Sequence, residues 1–335
     1  MKKILILRLD GLGDTLLTLP LIDGLKNRWP DCEITFLASP RGAAVFAADP
    51  RISRLWVHEL TALSRTEKIA LGRQIRAAAF DQVFCLNEKF WPAVWTYMSN
   101  ATFCVGFDPG WSQPPKPLLR RLTLTHRLPS ANDPSRTSAH EVERYAALAA
   151  LAGCPGAAGP MRLTLPSAAQ DWAKATLAEL APGPAELLIG LHLSAKWGSE
   201  GWGDETCLSV AHALLDRFPQ ARLAVTAGPG EEKFFETAAA VLPLGRFRLF
   251  TRLELMQWAA LLAGCRALVS MDTGAVHLAA AVGTPVAVVF PEKNFAHASS
   301  RLSPWQVPHR ILQRPAPVSR DDFCADLCTA VEELI

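Results

Sequence analysis

The densest chemistry in this 335-residue chain lies at Asp272-Thr273-Gly274, with His277 one helical turn further on. Apolar runs flank these residues: Ala267–Met271 before them and Val286–Phe290 after them, each short enough for a buried parallel strand. Between them, Ala275–Val282 is Ala-rich and helix-prone, and Gly283-Thr284-Pro285 stops it. The stretch therefore reads strand, turn, short helix, turn, strand. A helix N-terminus placed after a strand directs free backbone N–H groups and a positive dipole end at one spot. Such a spot suits a phosphate. Thr273 adds a hydroxyl donor, and the spacing of His277 lets it face the same pocket. The competing reading is structural: Asp272 as a plain helix cap and His277 on the helix surface. The position of His277, between two buried strands, favours the anion site.

A second locus stands at the N-terminus. Ile4–Leu9 predicts a buried strand, and Asp10-Gly11-Leu12-Gly13-Asp14 a tight glycine turn. Thr15–Asn27 carries Leu16, Leu17, Leu19, Ile22 and Leu25 at helical spacing, with Pro20 inside it expected to kink the helix. Trp29-Pro30-Asp31 ends that helix, and Glu33–Ala38 is the second strand. Gly11-x-Gly13 supplies the first two glycines of a dinucleotide fingerprint. Leu16 stands where the third should be, however, and Leu37, Ala38 and Ser39 stand where an acidic residue would end the second strand, which disfavours hydride transfer. Asp14 suits helix capping. It also lies in a loop at the C-terminal end of a parallel strand, where open α/β sheets place their sites.

Asp272-Thr273-Gly274-x-x-His277-Leu278-Ala279-Ala280-Ala281-x-Gly283-Thr284-Pro285 resembles the C-terminal signature of glycosyltransferase family 9, the ADP-heptose:lipopolysaccharide heptosyltransferases. The N-terminal loop is similar to the family's opening, in which Gly-Asp precedes a Leu-rich helix ending in Thr-Leu-Pro. His140 and Arg144 resemble the family's His-x-x-x-Arg helix. The resemblance implies a GT-B type α/β fold, two Rossmann-like doubly wound domains facing across a cleft that closes for reaction. It also implies transfer of a heptose from a nucleotide-sugar donor, ADP-heptose, to an acceptor hydroxyl on a glycan or glycolipid, an inner-core sugar of lipopolysaccharide. On this resemblance Asp14 is the catalytic base, with Gly13 beside it in the donor-binding set. Ser194 matches a hydroxyl on the diphosphate, Glu231 or Glu232 an acid on the nucleoside, and Leu253 the adenine-packing position, for which a core role is the alternative. The chain departs from the family at Glu200-Gly201-Trp202. There the pattern has a basic residue two places before the tryptophan, and Lys196 lies four residues earlier as a replacement cation. In this reading Asp272–Gly274, Lys196 and His277 stabilise the leaving diphosphate, with helix amides in the place of a metal, so no metal or cofactor is expected. Two rivals remain: a GT-B enzyme of other chemistry, such as a nucleotide-sugar epimerase, and a non-catalytic sugar-binding protein.

The rest of the chain bears on these expectations. Leu55–His58, Gln82–Leu86 and Phe103–Val105 read as strands separated by helices. A helix begins at His140, and Gly153–Pro166 is a Gly/Pro/Ala-rich linker. Leu187–Leu193, Arg222–Ala227 and Arg248–Phe250 are further strands. Asp204–Phe218, Glu231–Val241 and Glu254–Ala263 are helices between them. The expected division is an acceptor-binding domain at 1–155 and a nucleotide-sugar-binding domain at 156–335, with the C-terminal helix free to pack back on the first. A formal charge of +2 gives no argument for nucleic acid, which is not expected as a partner. The eight cysteines form no C-x-x-C pair and read as thiols in a reducing compartment. Arg8, Asp10 and Asp14 cut the N-terminal apolar run too short for a signal peptide. No stretch approaches the roughly 20 apolar residues of a membrane span. The expected location is the cytoplasm, with peripheral contact to the inner membrane left open. Arg51, Arg54, Arg65, Lys68, Arg73 and Arg76, then Lys116, Arg120, Arg121 and Arg127, are read as solvated surface that suits an anionic acceptor if some converge near Asp14. Phe90, Trp91, Trp95 and Tyr97 read either as core or as a platform for sugar or lipid.

Overall fold

Lys3–Arg8 (β1) is four aliphatic residues between two cations, and it becomes a central strand of the first sheet. Its interior residues Ile4–Leu7 are fully buried, as a strand covered on both faces requires. The computed structural model describes residues 1–108, 121–130, 139–180, 183, 186–194, 196–197, 204–228, 242–243, 245–314 and 319–335. After β1 come α1 (Leu12–Leu16), α2 (Leu19–Arg28), β2 (Glu33–Ala38), α3 (Pro40–Ala43), β3 (Arg54–Val57), α4 (Arg65–Ala78), β4 (Gln82–Cys85), α5 (Phe90–Met98), β5 (Phe103–Asp108), β6 (His126–Pro129) and α6 (Glu141–Leu151). The strands form a six-stranded sheet in the order β3-β2-β1-β4-β5-β6, with every pair parallel.

The second sheet repeats that order. Its elements are α7 (Ser167–Leu180), β7 (Leu187–Leu193), α8 (Asp204–Arg217), β8 (Ala221–Ala227), β9 (Phe247–Phe250), α9 (Leu255–Ala263), β10 (Ala267–Met271), α10 (Gly274–Ala281), β11 (Val286–Pro291), α11 (Phe295–Leu302), β12 (His309–Arg314) and α12 (Arg320–Glu332). The order is β12-β11-β10-β7-β8-β9, again all parallel. Numbered from its own first strand, it is the 3-2-1-4-5-6 order of a dinucleotide-binding sheet, read from the opposite edge.

The chain divides into two compact units at Arg162/Leu163, inside the Gly153–Pro166 linker stretch and seven residues beyond the expected boundary at 155/156. The cause is that the early linker is tied to the first unit. Cys154 Sγ donates to the Gly24 carbonyl at 3.0 Å and Arg51 Nη2 to the Arg162 carbonyl at 3.0 Å. Gly24 lets this segment approach: a Cβ there would fall 2.4 Å from Ala157 Cβ. The C-terminal helix α12 packs in the second unit, where Phe323, Leu327 and Val331 join Leu214 of α8 and Leu191, Val225 and Val269 of the sheet in one cluster.

Two local expectations need correction. Pro20 does not kink a continuous helix. The chain breaks at Leu17–Thr18, and Pro20 occupies the first turn of α2, where a missing N–H costs nothing. Gly13 is not in an open turn, because helix α1 already begins at Leu12, with Gly11 as its N-cap. Strands β6 and β12 were not foreseen. Both are sheet edges, and β6 is largely exposed, so neither carries a continuous buried apolar run. The aromatic cluster divides: Trp95 is fully buried, while Phe90 and Tyr97 face solvent.

Candidate functional site

In each sheet the winding direction reverses between the two central strands, and ligands of such sheets bind outside the carboxyl ends of the strands at that crevice. In the first unit the crevice lies between β1 and β4. Arg8 closes β1 and is buried, with Nη1 donating to the Leu86 carbonyl at 2.8 Å and Nη2 to Asp14 Oδ1 at 2.6 Å. Asp10 Oδ2 lies 3.4 Å from Arg8 Nη1, and Asp10 Oδ1 lies 2.7 Å from Lys89 Nζ. Asn87, two residues past β4, accepts from Leu9 N at 2.7 Å and donates to Asp10 Oδ2. Burial works against the Arg8 charge, but the Tyr145 phenol, Asp14, Asp10 and Glu141 outweigh it and raise its pKa. The guanidinium is thus a fixed cation beneath two carboxylates.

Asp14 stands at the start of α1 with both carboxylate oxygens engaged. Its Oδ2 accepts from the N–H of the N-cap residue Gly11 at 3.3 Å, at the start of α1. Its Oδ1 is oriented by Arg8. The side chain remains 39% exposed, so the carboxylate is anchored from below and open to a ligand from above.

The second crevice lies between β7 and β10. Met271 ends β10, and Thr273 caps α10: its Oγ1 accepts from Ala275 N at 3.3 Å. The cap is therefore Thr273 and not Asp272. The Asp272 carboxylate is instead turned to Lys196, whose Nζ donates to Asp272 Oδ2 at 3.0 Å and also to the Asp272 carbonyl. Lys196 follows β7 and keeps its side chain 45% exposed. An ammonium therefore stands at the N-terminal turn of α10, where the helix amides add their own positive potential. Ser194 Oγ, in the same loop, is shielded from solvent and makes no hydrogen bond among the described residues. A shielded hydroxyl without a partner calls for an explanation, and a bound ligand is one. His277 is buried in α10, 4% exposed, so it is not the surface histidine of the structural alternative.

The remaining expectations fall unevenly. Leu253 packs against the cluster formed by Phe250, Leu261 and Leu188, close to the end of β9. Glu200, Trp202, Glu231 and Glu232 lie outside the described residues. Sequence reasoning passed over Arg8, Asp10, Asn87 and Lys89, which build the setting of Asp14. The available signal was a charged residue ending an otherwise apolar strand, followed by Asp10 two places on. It also passed over His192 near the end of β7. Burial pushes that imidazole down to about 4, so it is neutral, and its Nδ1 pairs with Thr226 Oγ1 at 3.0 Å. Among the described residues no cluster of His, Cys, Asp and Glu is arranged to hold a metal ion.

Two Rossmann-like units in one chain, each a parallel sheet with its own switch point, are the GT-B architecture. The model of glycosyltransferase family 9 (heptosyltransferase) matches residues 68–316, and the chain belongs to that family. It is a glycosyltransferase. Lipopolysaccharide heptosyltransferase 1 of Pseudomonas aeruginosa is 25% identical over 302 residues, covering 87% of this chain and 79% of that protein. Among solved structures, the family 9 glycosyl transferase of Veillonella parvula superposes with a TM-score of 0.82 at 17% identity, covering 99% of this chain and 97% of that one. Escherichia coli heptosyltransferase WaaC with ADP-2-deoxy-2-fluoro heptose superposes at 0.69 with 20% identity, covering 99% and 98%.

Proposed function

We propose that this enzyme transfers a heptose from ADP-heptose to a hydroxyl of an inner-core sugar of lipopolysaccharide. One observation carries the reading: Lys196 stands at the Thr273-capped start of α10, two residues after Ser194, whose shielded hydroxyl has no hydrogen-bond partner among the described residues. That arrangement offers an ammonium, a hydroxyl and helix amides to a diphosphate, the leaving group of the reaction. The family supports the heptose, and the ADP-sugar analogue held by the structural neighbour supports the nucleotide.

The chemistry then has two halves. Asp14 takes the proton of the acceptor hydroxyl as it attacks the anomeric carbon, and Arg8 holds the carboxylate in place while it does so. The C–O bond to the diphosphate breaks, and the charge that builds on the leaving oxygen falls to Lys196, His277, Thr273 and the amides of α10. Asp272 pairs with Lys196, and a diphosphate competes with it for the ammonium. Leu253 and the Glu231-Glu232 pair are assigned to adenosine and Gly13 to the approach of the donor sugar, on the family pattern. These groups supply the stabilisation a metal gives elsewhere, so EDTA leaves the rate unchanged. The eight cysteines are buried thiols rather than disulfides, which suits a reducing compartment, and we place the reaction in the cytoplasm.

The test is a donor panel. ADP-heptose, ADP-glucose and UDP-N-acetylglucosamine are each offered with a lipopolysaccharide inner-core acceptor, and the product is weighed by mass spectrometry. Heptosylated acceptor formed with release of ADP is the expected result. Epimerisation of a UDP-sugar without transfer, or binding without turnover of any donor, overturns it.

A further inference from the structure

The aromatic helix α5 has a use that the transfer reaction leaves unassigned. Trp95 anchors it in the core, donating its indole N–H to the Lys68 carbonyl at 2.8 Å. Phe90 and Tyr97 are 58% and 67% exposed. They lie two helical turns apart, and so share one stripe of the helix. Val94 is half-buried between them, and α5 carries no charged residue. Two large exposed aromatics on an uncharged helix form a surface that water does not favour.

The neighbouring helix α4 is cationic. It carries Arg65, Lys68, Arg73 and Arg76 against a single acid, Glu67, a net charge of +3 on one helix, where the whole chain is only +2. Glu67 is engaged in the capping box with Ser64, accepting from Ser64 N at 2.8 Å. Arg65, Arg73 and Arg76 are exposed. The two helices are held side by side: a Cβ on Gly72 would fall 2.4 Å from Met98 Sδ, and Lys68 Nζ lies 5.9 Å over the Trp91 ring. The aromatic stripe and the arginines therefore lie on two adjoining helices.

We propose that this α4–α5 face docks on the anionic surface of a lipid bilayer, with Phe90 and Tyr97 in the headgroup region and the α4 arginines on lipid phosphates. Aromatic side chains partition to the membrane–water interface, and clustered Lys and Arg are drawn to anionic leaflets. Charge selects the occupant: an uncharged aromatic stripe beside a concentrated cation complements an anionic surface that also accepts rings. The inference rests on the proposed function only in giving the docking a purpose, since a glycolipid acceptor lies in such a surface. No membrane-spanning helix is needed, and none of the described helices is long and apolar enough to be one.

The experiment is vesicle co-sedimentation of the full chain with phosphatidylcholine alone and with phosphatidylcholine mixed with phosphatidylglycerol. The protein should sediment with the mixed vesicles only, and less so as salt is raised. Arg73→Glu with Arg76→Glu, and separately Phe90→Ser with Tyr97→Ser, should each lower the partition coefficient at least about tenfold. Both pairs should keep wild-type ADP affinity and thermal unfolding, which shows that the fold is intact. Equal binding to both vesicle types, or binding that neither pair of substitutions weakens, overturns the proposal. So does no binding at all, or a self-association in ultracentrifugation that Tyr97→Ser abolishes, which assigns the face to a second copy. Vesicle binding as described without turnover of ADP-heptose would sink the donor assignment and leave the docking surface standing.

Discussion

Lys196 is the residue on which the family's pattern and this chain's own geometry meet. The pattern has a cation where Glu200 stands, and the structure brings Lys196 onto Asp272 at the start of α10. A compact ammonium on a flexible stem can serve from a shifted position. Lys196→Ala should therefore slow transfer at least about tenfold, roughly 1.4 kcal/mol of transition-state stabilisation, read from steady-state kinetics. Glu200→Lys should be tolerated or raise the rate. A silent Lys196→Ala together with a Glu200→Lys that destroys donor binding would reverse the assignment. His277 tests the same site from within the helix: calorimetry should show His277→Ala weakening ADP more than adenosine, because only phosphates reach the helix start. Equal losses would return His277 to a packing role, to which its burial also lends itself. Asp272, Thr273 and His277 could be singled out in the sequence because they sit close together in it, at turn and helix spacing, whereas Lys196 lies 76 positions from Asp272 and was picked out only against the family pattern. Arg8, Asp10 and Asn87 were not, because their association is made by strand pairing: Leu9 and Asn87 meet across 78 positions, and nothing local to either reports the other.

At the scale of the element, the central unit is β10–Thr273–α10. The strand, the turn and the helix were each readable from apolar runs and from Gly283-Thr284-Pro285, but which of Asp272 and Thr273 capped the helix was not. Both have capping side chains, and the choice goes with Lys196, from the segment after β7, claiming the Asp272 carboxylate. Thr273→Ala should cost about 1 kcal/mol of stability and weaken ADP binding, and Thr273→Ser should preserve both, measured by chemical denaturation and calorimetry. Strand β7 carries a pH dependence of its own. Burial lowers His192 to about 4 in the folded chain, from an ordinary value of 6.5. The unfolded chain takes up the proton first as pH falls, so stability is complete above pH ~6.5 and is lost progressively toward pH ~4, by at most about 3 kcal/mol. His192→Asn should flatten the slope of unfolding free energy against pH in that window. A slope unchanged from wild type would mean that His192 is not the group responsible. Pro20 shows where element reading fails: a helical apolar spacing ran through Leu16–Leu25 although two helices share it, because periodicity does not register a break that keeps the same buried face.

At the scale of the molecule, the alternation of strands and helices was enough to give two doubly wound units, and their division falls inside the Gly153–Pro166 stretch, seven residues after the boundary drawn at 155/156. Strands β6 and β12 escaped because His126–Pro129 and His309–Arg314 are interrupted by charged and polar residues, whereas the other two edges, β3 and β9, keep enough apolar residues to be read. The fold alone does not choose a reaction, since sheets of this order host many. The choice rests on the two crevices, and the central claim is that the carboxylate of the first serves as the base for a sugar transfer from the diphosphate bound at the second. Asp14→Asn tests it most directly. The substitution keeps the size of the side chain and its ability to accept from Gly11 N, while removing basicity. Turnover should be measured at saturating ADP-heptose, with ADP affinity determined on the same preparation. The account predicts unchanged ADP affinity and a rate lower by about 10²–10⁴-fold. A near-normal rate in Asp14→Asn would contradict it.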